Sequence, residues 1–230
     1  MASPGQSPRS TLRRSIRDAY RARGRGNSNL WLVYSVKTNR DWLLPSDRQL
    51  VHWLYYLESN PEVASFDLAP EPIISIDDKE TRGTELDAIV VYNDGHKEWH
   101  EVKAGDRSNP THRSQLLAEA AAAHKEGVKF SVFSDQELRP IARTAIRWIK
   151  PLSYAAVLRG QQHNPCRVGL ATYLSGNQTG TVETVLKELP HFDQAVVLGM
   201  MVRLAVKDNV LHFDLSRRSF GLQTVWKIHG

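Results

Sequence analysis

The chain has 230 residues, of which 41% are hydrophobic and 24% charged. This composition is that of an ordinary globular protein and excludes a fibrous or wholly disordered class. The length allows one large domain or two modest ones. No apolar run approaches membrane-spanning length, the first residues lack the apolar stretch of a secretory signal, and the single cysteine, Cys166, cannot form an internal disulfide. We therefore expect a cytoplasmic location, where thiols stay reduced.

The positive charge is concentrated at the N-terminus. Residues 1–30 have a formal net charge of +6 from seven arginines and one acid, so that the other 200 residues sum to −1. We expect a basic arm over residues 1–30 that binds DNA phosphates through its arginines, although a solvated tail is the alternative. The arginines expected to contact DNA are Arg13, Arg14, Arg17, Arg21, Arg23 and Arg25.

The segment after the arm has an α/β pattern. Ser46 and Asp47 begin a predicted helix that continues at helical spacing to residue 57 and ends at Asn60-Pro61. Strands are predicted over 73–76, 86–92 and 97–103 as a β-meander, with Asn93 to His96 as a tight turn. A helix over 114–125, a short strand over 128–133 and a helix over 137–149 follow.

The last part of the chain has a different pattern. The polar segment around Gly160 and Pro165 separates it from the first block, so we divide the chain into residues 31–159 and 160–230. Helices are predicted over 166–174, 182–189 and 192–206, followed by strands over 210–215 and 222–228 around the basic turn at Arg217 and Arg218. Three helices and a basic-tipped hairpin are the outline of a winged helix, a fold that binds either DNA or protein.

The strand over 97–103 places chemically useful groups together. Residues two apart share a face of a strand, so Glu101 and Lys103 project together while His100 points the other way. If the preceding strand pairs antiparallel with it, Asp87 lies near Glu101 on the same surface. Two carboxylates suit Mg²⁺, and a lysine can orient or activate an attacking water, which is the chemistry of phosphodiester hydrolysis. An exposed, solvated pair of charges is the alternative.

The spacing of Asp87 and Glu101-x-Lys103 is the PD-(D/E)xK pattern, and several flanking segments together resemble the TnsA family, the nuclease subunit of heteromeric cut-and-paste transposases. The similarity extends over about residues 12–152. The segments that resemble the family are Arg13-Arg14-Ser15-Ile16, the Ser-x-Lys-Thr-x-Arg run at 35–40, Leu44 to Leu50, Asn60 to Val63, and Phe133 to Pro140 followed by Trp148. The resemblance implies a restriction-endonuclease-like catalytic domain followed by a small winged-helix-like C-terminal domain.

Carried over residue by residue, the resemblance makes Asp87 and Glu101 metal ligands and Lys103 the motif's lysine. The family's first-helix glutamate falls at Gln49, whose amide can be a neutral ligand or orient water but lacks the negative charge. We therefore expect Asp87, Glu101, Lys103 and Gln49 to form the catalytic site, with Mg²⁺ as cofactor and Mn²⁺ able to replace it. Either the acid at Glu101 supplies the negative charge that Gln49 lacks, or the amide at position 49 leaves a weakened nuclease.

The resemblance also implies function and partners. The protein would be an endonuclease subunit that cuts at the 5′ ends of a mobile element in the bacterial nucleoid. Its partners would be transposon-end DNA, a DDE transposase subunit of the TnsB type and an AAA+ ATPase regulator of the TnsC type, with no membrane association. Two alternatives stay open: a non-catalytic DNA-binding and assembly module that retains the nuclease fold, and a stand-alone restriction or repair nuclease.

Overall fold

The computed structural model describes residues 29–77, 80–103 and 110–229. By their packing, these residues form two compact units. The first contains residues 29–33, 41–53 and 62–140, and the second contains 34–40, 54–61 and 141–229, each with the gaps just given. The chain is a mixed α/β protein with several sheets. Within the described ranges, no helix has both the length and the apolar character needed to cross a membrane.

The elements up to residue 140 are mostly short strands. In chain order they are β1 (Trp31–Ser35), β2 (Arg40–Leu44), α1 (Asp47–His52) continued by a π-helix (Trp53–Glu58), β3 (Val63–Asp67), β4 (Ile73–Asp77), β5 (Glu80–Thr84), β6 (Ala88–Tyr92), β7 (Lys97–Val102), α2 (Pro110–Lys125), β8 (Lys129–Phe133) and α3 (Asp135–Leu138).

The largest sheet has four strands in the order β3-β6-β7-β8. β3 and β7 both pair antiparallel with β6, whereas β8 pairs parallel with β7. A parallel neighbour requires a crossover connection, and α2 lies in that connection. The hairpin of β6 and β7 is confirmed, but the β-meander is wrong: β4 pairs with β5 in a separate two-stranded sheet. β1 and β2 form another two-stranded sheet.

The four-stranded sheet and α2 share a small apolar core. Leu86 and Trp99 on the sheet side pack with Ala123 of α2, and Ile89 and Phe130 are among the partly buried residues around them. Because alanine side chains are short, the alanine-rich helix can approach the sheet closely. The helix predicted over 114–125 is confirmed and begins earlier, at Pro110.

The helix predicted from residue 46 is confirmed, but the one predicted over 137–149 is wrong. The Ser46 hydroxyl caps α1 by accepting a hydrogen bond from the backbone N–H of Gln49, and the helical segment ends with the π-helix at Glu58. The later segment is divided among α3, α4 (Ala142–Ile146) and the start of α5 (Ile149–Val157). Pro140 explains the first break, between α3 and α4, because proline lacks an amide hydrogen and clashes with the preceding turn.

The second unit is mainly helical. Besides α4 and α5 it contains α6 (Asn164–Ser175), β9 (Thr179–Thr181), α7 (Val182–Glu188), α8 (Gln194–Val206), β10 (Leu211–Phe213) and β11 (Val225–Ile228). The predicted helices and the terminal hairpin are confirmed, with shorter strands. β9, which was not predicted, pairs with β11 and completes a three-stranded antiparallel sheet.

Packing assigns residues 141–159 to the second unit, so the sequence-based boundary after residue 159 differs from the packing of the chain. α5 and α8 pack closely because Gly199 lacks a side chain. A Cβ at that position would lie 2.6 Å from Leu158 Cδ1 and 2.7 Å from the Tyr154 carbonyl oxygen. The helix contact in this unit therefore depends on that glycine.

Candidate active site

The hairpin of β6 and β7 brings Asp87 next to Glu101. Ala88 lies opposite His100 in the antiparallel register, so Asp87, one residue earlier, is level with Glu101. The turn that sets this register includes Gly95 at φ 87°, a conformation that glycine adopts without strain. The juxtaposition of the two acids that the pattern predicted is therefore present.

Hydrogen bonds hold the two carboxylates in place. The Asp87 amide donates to Glu101 Oε2 at 3.1 Å, and the Val102 amide donates to Asp87 Oδ2 at 2.8 Å. Lys103 Nζ lies 2.5 Å from Glu101 Oε1. Asp87 is 3% and Glu101 0% exposed. The motif is thus buried, which excludes the alternative of a solvated surface pair.

Gln49 on α1 contacts this group. Its Nε2 donates to Asp87 Oδ1 at 3.0 Å. Its Oε1 is buried and accepts no hydrogen bond from the described part of the chain. A buried amide oxygen with no donor is costly, and a cation is one kind of group that would satisfy it.

α1 is anchored at both ends. Near its start, Arg48 forms a bidentate ion pair with Asp135 of α3, with Nε to Oδ1 at 2.6 Å and the second bond at 2.8 Å. At its end, His52 Nε2 lies 3.0 Å from His100 Nδ1, and both rings are buried. These contacts fix the helix, and with it Gln49, relative to the strand that carries Glu101.

The buried histidine pair lies on the face of β7 opposite Glu101. His100 Nε2 lies 3.3 Å from Glu98 Oε2, and Lys129 Nζ lies 2.7 Å from Glu98 Oε1. Burial lowers the pKa of His100 to about 4, against the opposing effect of Glu98. His100 is therefore neutral at physiological pH and serves as a hydrogen-bonding group.

α2 adds two residues outside the predicted catalytic set, Gln115 and Glu119. Lys103 Nζ donates to Gln115 Oε1 at 3.3 Å, and Gln115 Nε2 donates to Glu119 Oε1 at 2.8 Å. Glu119 is 0% exposed. The sequence signal for this pair is its spacing of four residues in an otherwise alanine- and leucine-rich helix directly after the motif.

Among the residues that the structure describes, acidic groups exceed basic ones around Glu101. The carboxylates of Asp87 and Glu119 and the ammonium of Lys103 all act on it. Burial, followed by the charges of Asp87 and Glu119, raises the pKa of Glu101 to about 8, and Lys103 opposes this rise. A divalent cation would favour the ionised form of Glu101 and relieve the repulsion between the carboxylates.

The oxygen atoms at this site suit a hard cation that takes only a few of its ligands from the protein. Among the described residues, no three His, Cys, Asp or Glu side chains form a group ready to hold a metal ion. Mg²⁺, however, needs only one or two carboxylates, since it keeps several waters and takes oxygens from a substrate phosphate. Asp87 and Glu101 with the Gln49 amide oxygen meet this requirement.

The remaining candidate residues lie elsewhere. The arm arginines Arg13, Arg14, Arg17, Arg21, Arg23 and Arg25 fall outside the described residues. Glu58, at the end of the π-helix, is buried in the second unit, where it accepts hydrogen bonds from Ser35 Oγ at 2.7 Å and the Val36 amide at 2.6 Å. Comparison of the chain with protein-family models and with curated proteins found no match.

Proposed function

We propose that the chain is a metal-dependent endodeoxyribonuclease, the TnsA-like subunit of a cut-and-paste transposase that hydrolyses phosphodiesters at the 5′ ends of a mobile element. The observation that carries this proposal is the convergence of Gln49 and Lys103 on the buried carboxylates of Asp87 and Glu101. These side chains come from three separate segments of the chain. Two buried carboxylates beside an ammonium are costly to a fold, and a catalytic role explains why they are present.

We also propose a restriction-endonuclease-like fold for the first unit and a winged-helix-like fold for the second. The first is supported by the order of elements, in which an antiparallel pair with the Glu-x-Lys motif precedes α2 and the parallel strand β8. The second is supported by the three helices α6, α7 and α8 followed by the hairpin of β10 and β11.

In the proposed mechanism, Asp87, Glu101 and the Gln49 amide oxygen would hold Mg²⁺, with Mn²⁺ able to replace it. The bound ion would stabilise the negative charge that develops on the scissile phosphate. Lys103 forms an ion pair with Glu101 and donates to Gln115. Its remaining N–H capacity would let it donate to the attacking water and orient it for in-line attack on phosphorus, or donate to a phosphate oxygen.

The partners follow from the same proposal. The substrate is transposon-end DNA, which the basic arm would contact through phosphates. A TnsB-type DDE transposase would cut the opposite strands, and a TnsC-type AAA+ ATPase would regulate the assembly. Nicking by this subunit is expected to require the transposase.

Metal binding tests the proposal without its partners. Calorimetric titration of Mn²⁺ into the wild-type protein should show binding that Asp87→Asn abolishes, since the variant keeps the shape but loses the charge. Asp94→Asn, on the exposed turn of the same hairpin, is the matched control and should bind as the wild type does. In a reconstituted excision assay, Lys103→Ala should abolish nicking. Unchanged Mn²⁺ binding by Asp87→Asn would refute the assignment.

A second candidate is a non-catalytic DNA-binding and assembly module that retains the fold. Two observations favour it. Both Asp87 oxygens already accept hydrogen bonds, from Gln49 and Val102, and position 49 has a neutral amide instead of an acid. A protein of this kind would show no Mn²⁺ binding that depends on Asp87 or Glu101. The same titration therefore separates the two functions.

A further inference from the structure

The two units carry opposite charge. Residues 34–40, 54–61 and 141–230, which form the second unit, contain thirteen Lys and Arg against six Asp and Glu, a formal net charge of +7. Since residues 31–230 sum to −1, the residues of the first unit that follow the arm carry −8. The near-neutral body inferred from the sequence is therefore an acidic unit and a basic one. A charge of +7 on a small unit favours an anionic partner.

Within the second unit there is a cavity of about 440 Å³. Its cationic lining residues are Arg167, Arg203 and Lys207, and its amide-bearing ones are Asn39, Gln161 and Gln162. Among the lining residues that the structure describes, one, Asp208, is an acid. The walls are thus rich in hydrogen-bond donors and positive charge, which is the chemistry of an anion site.

Arg203 stabilises one wall of the cavity. Its Nη1 donates to the Gln161 carbonyl at 2.7 Å and its Nη2 to the Leu158 carbonyl, so its guanidinium holds the turn that follows α5. Gly160, at φ 71° in that turn, adopts a backbone conformation that other residues rarely take. Arg203 is therefore a structural residue of this wall.

Arg167 and Lys207 are the available cations. Both are exposed, and the described part of the chain gives neither of them a hydrogen bond or an ion pair through its side chain. By contrast, Lys187 on α7 is already paired with Glu183 at 2.7 Å. Two unpaired cations at one concave site can bind an anion without first breaking an internal contact.

The turn between β1 and β2, which contains Asn39, supplies a neutral hydrogen-bond donor. Tyr34 OH donates to Asn39 Oδ1 at 2.7 Å, which leaves the Asn39 Nδ2 group as a donor. Arg159 lies over the Tyr34 ring, with Cζ 4.7 Å from the centroid, and adds positive charge next to a residue that lines the cavity.

We propose that this cavity binds a phosphate group of the DNA backbone. A phosphate offers several acceptor oxygens to Arg167, Lys207 and the amide donors, and the cavity is large enough to admit the sugars on either side. The +7 charge of the unit favours a polyanion over a single anion, because each neutralised phosphate of a polymer releases counterions. The choice of DNA as the polymer rests on the proposed function.

The test is the salt dependence of DNA binding. Fluorescence anisotropy with a labelled 20-base-pair duplex in EDTA would compare the full chain with Arg167→Ala/Lys207→Ala. Each phosphate contact contributes about 0.9 to the slope of log K against log salt, so the slope of the double variant should be shallower by about one to two. Its affinity at low salt should fall by about tenfold or more.

Arg143→Ala/Lys187→Ala is the charge-matched control. It also removes two positive charges from the second unit, but outside the cavity: those of the exposed Arg143 and of Lys187, which is paired with Glu183. A double variant of the cavity that behaves like this control overturns the proposal. Because all four residues are exposed, circular dichroism and thermal unfolding should show that both variants keep the fold.

The possible outcomes can be separated. Because the duplex is bound in EDTA, this measurement does not depend on a metal ion, so a failure of metal binding at Asp87 and a failure of this cavity are distinguishable. Titration of inorganic phosphate tests the other source of the same chemistry. If phosphate binding depends on Arg167 and Lys207 while duplex binding does not, the cavity takes a free anion and the assignment to DNA is overturned.

Discussion

Gln49→Glu should destabilise the metal-free protein, and a divalent cation should restore the lost stability. The substitution keeps the side-chain length but replaces the Nε2 donor with a carboxylate oxygen 3.0 Å from Asp87 Oδ1. A favourable hydrogen bond thus becomes a like-charge contact inside a group that already includes the buried carboxylate of Glu101. A bound cation shared by these oxygens would reverse the sign of the effect.

The size of the effect follows from the distance. Two unit charges 3.0 Å apart repel by about 5 to 6 kcal/mol at an effective dielectric constant of about 20. Gln49 is partly exposed, which reduces this to about 3 kcal/mol through screening. The folded protein can instead keep the new carboxyl group protonated. This costs about 1.4 kcal/mol for each pH unit above the normal glutamate pKa of about 4.3, so the loss of stability is limited to about 2 kcal/mol at pH 6.

The pH dependence has a definite sign. The pKa of the new glutamate is raised in the folded state, so its stabilising contribution is greatest at low pH and is lost as the pH rises through the folded-state pKa. In EDTA, urea unfolding should therefore show a loss of about 2 kcal/mol at pH 6 and about 3 kcal/mol at pH 8. Saturating Mn²⁺ should restore the stability of Gln49→Glu and raise it more than that of the wild type.

Gln136→Glu is the matched control, because it makes the same change at an exposed position near the start of α3. We expect its stability to match the wild type within about 0.5 kcal/mol at either pH. The reasoning is refuted if Gln49→Glu is as stable as the wild type in EDTA, or if it is destabilised and Mn²⁺ does not restore it.

Three further changes test other parts of the structure. Since the pKa of Glu101 is raised to about 8, Mn²⁺ must displace a proton at lower pH, and calorimetry should show affinity rising by about tenfold per pH unit from pH 6 to 8. Gly199→Ala should cost about 3 kcal/mol in urea unfolding, because its Cβ would overlap Leu158. His52→Leu should cost about 2 kcal/mol by leaving His100 Nδ1 without its partner.

Each of these three has its own control. Glu101→Gln should weaken Mn²⁺ binding and remove its pH dependence, and a slope that persists would show that another group titrates. Gly176→Ala adds a methyl group at a position where the nearest atom is 3.9 Å away and should be nearly neutral. If His52→Leu unfolds like the wild type, the histidine pair does not anchor α1.

The sequence by itself determined the local elements and the centre of the candidate site. The alternation of residues 97–103 and the turn at Gly95 set the register of the hairpin, and that register alone brings Asp87 level with Glu101. Ser46 and Asn60 mark the ends of the first helical segment because capping and chain-breaking residues act over one turn. Such local interactions are readable because the residues that make them are close in the chain.

Tertiary packing decided which elements lie side by side. No local signal distinguishes β4 from β3 as the neighbour of β6, and the parallel pairing of β8 depends on how α2 crosses the sheet. Glu119 reaches the site only because that crossover places α2 beside Lys103. These pairings depend on contacts between residues distant in sequence, whose energies come from burial.

Packing also decided where the charge lies. Along the chain, residues 31–230 are nearly neutral, but the assignment of residues 34–40, 54–61 and 141–159 to the second unit collects cations such as Arg159 there. A net charge is a property of the residues that share a surface, and only the folded chain determines which residues do. The Asp87 to Lys103 hairpin could therefore be inferred from sequence, whereas the basic cavity of the second unit required the structure.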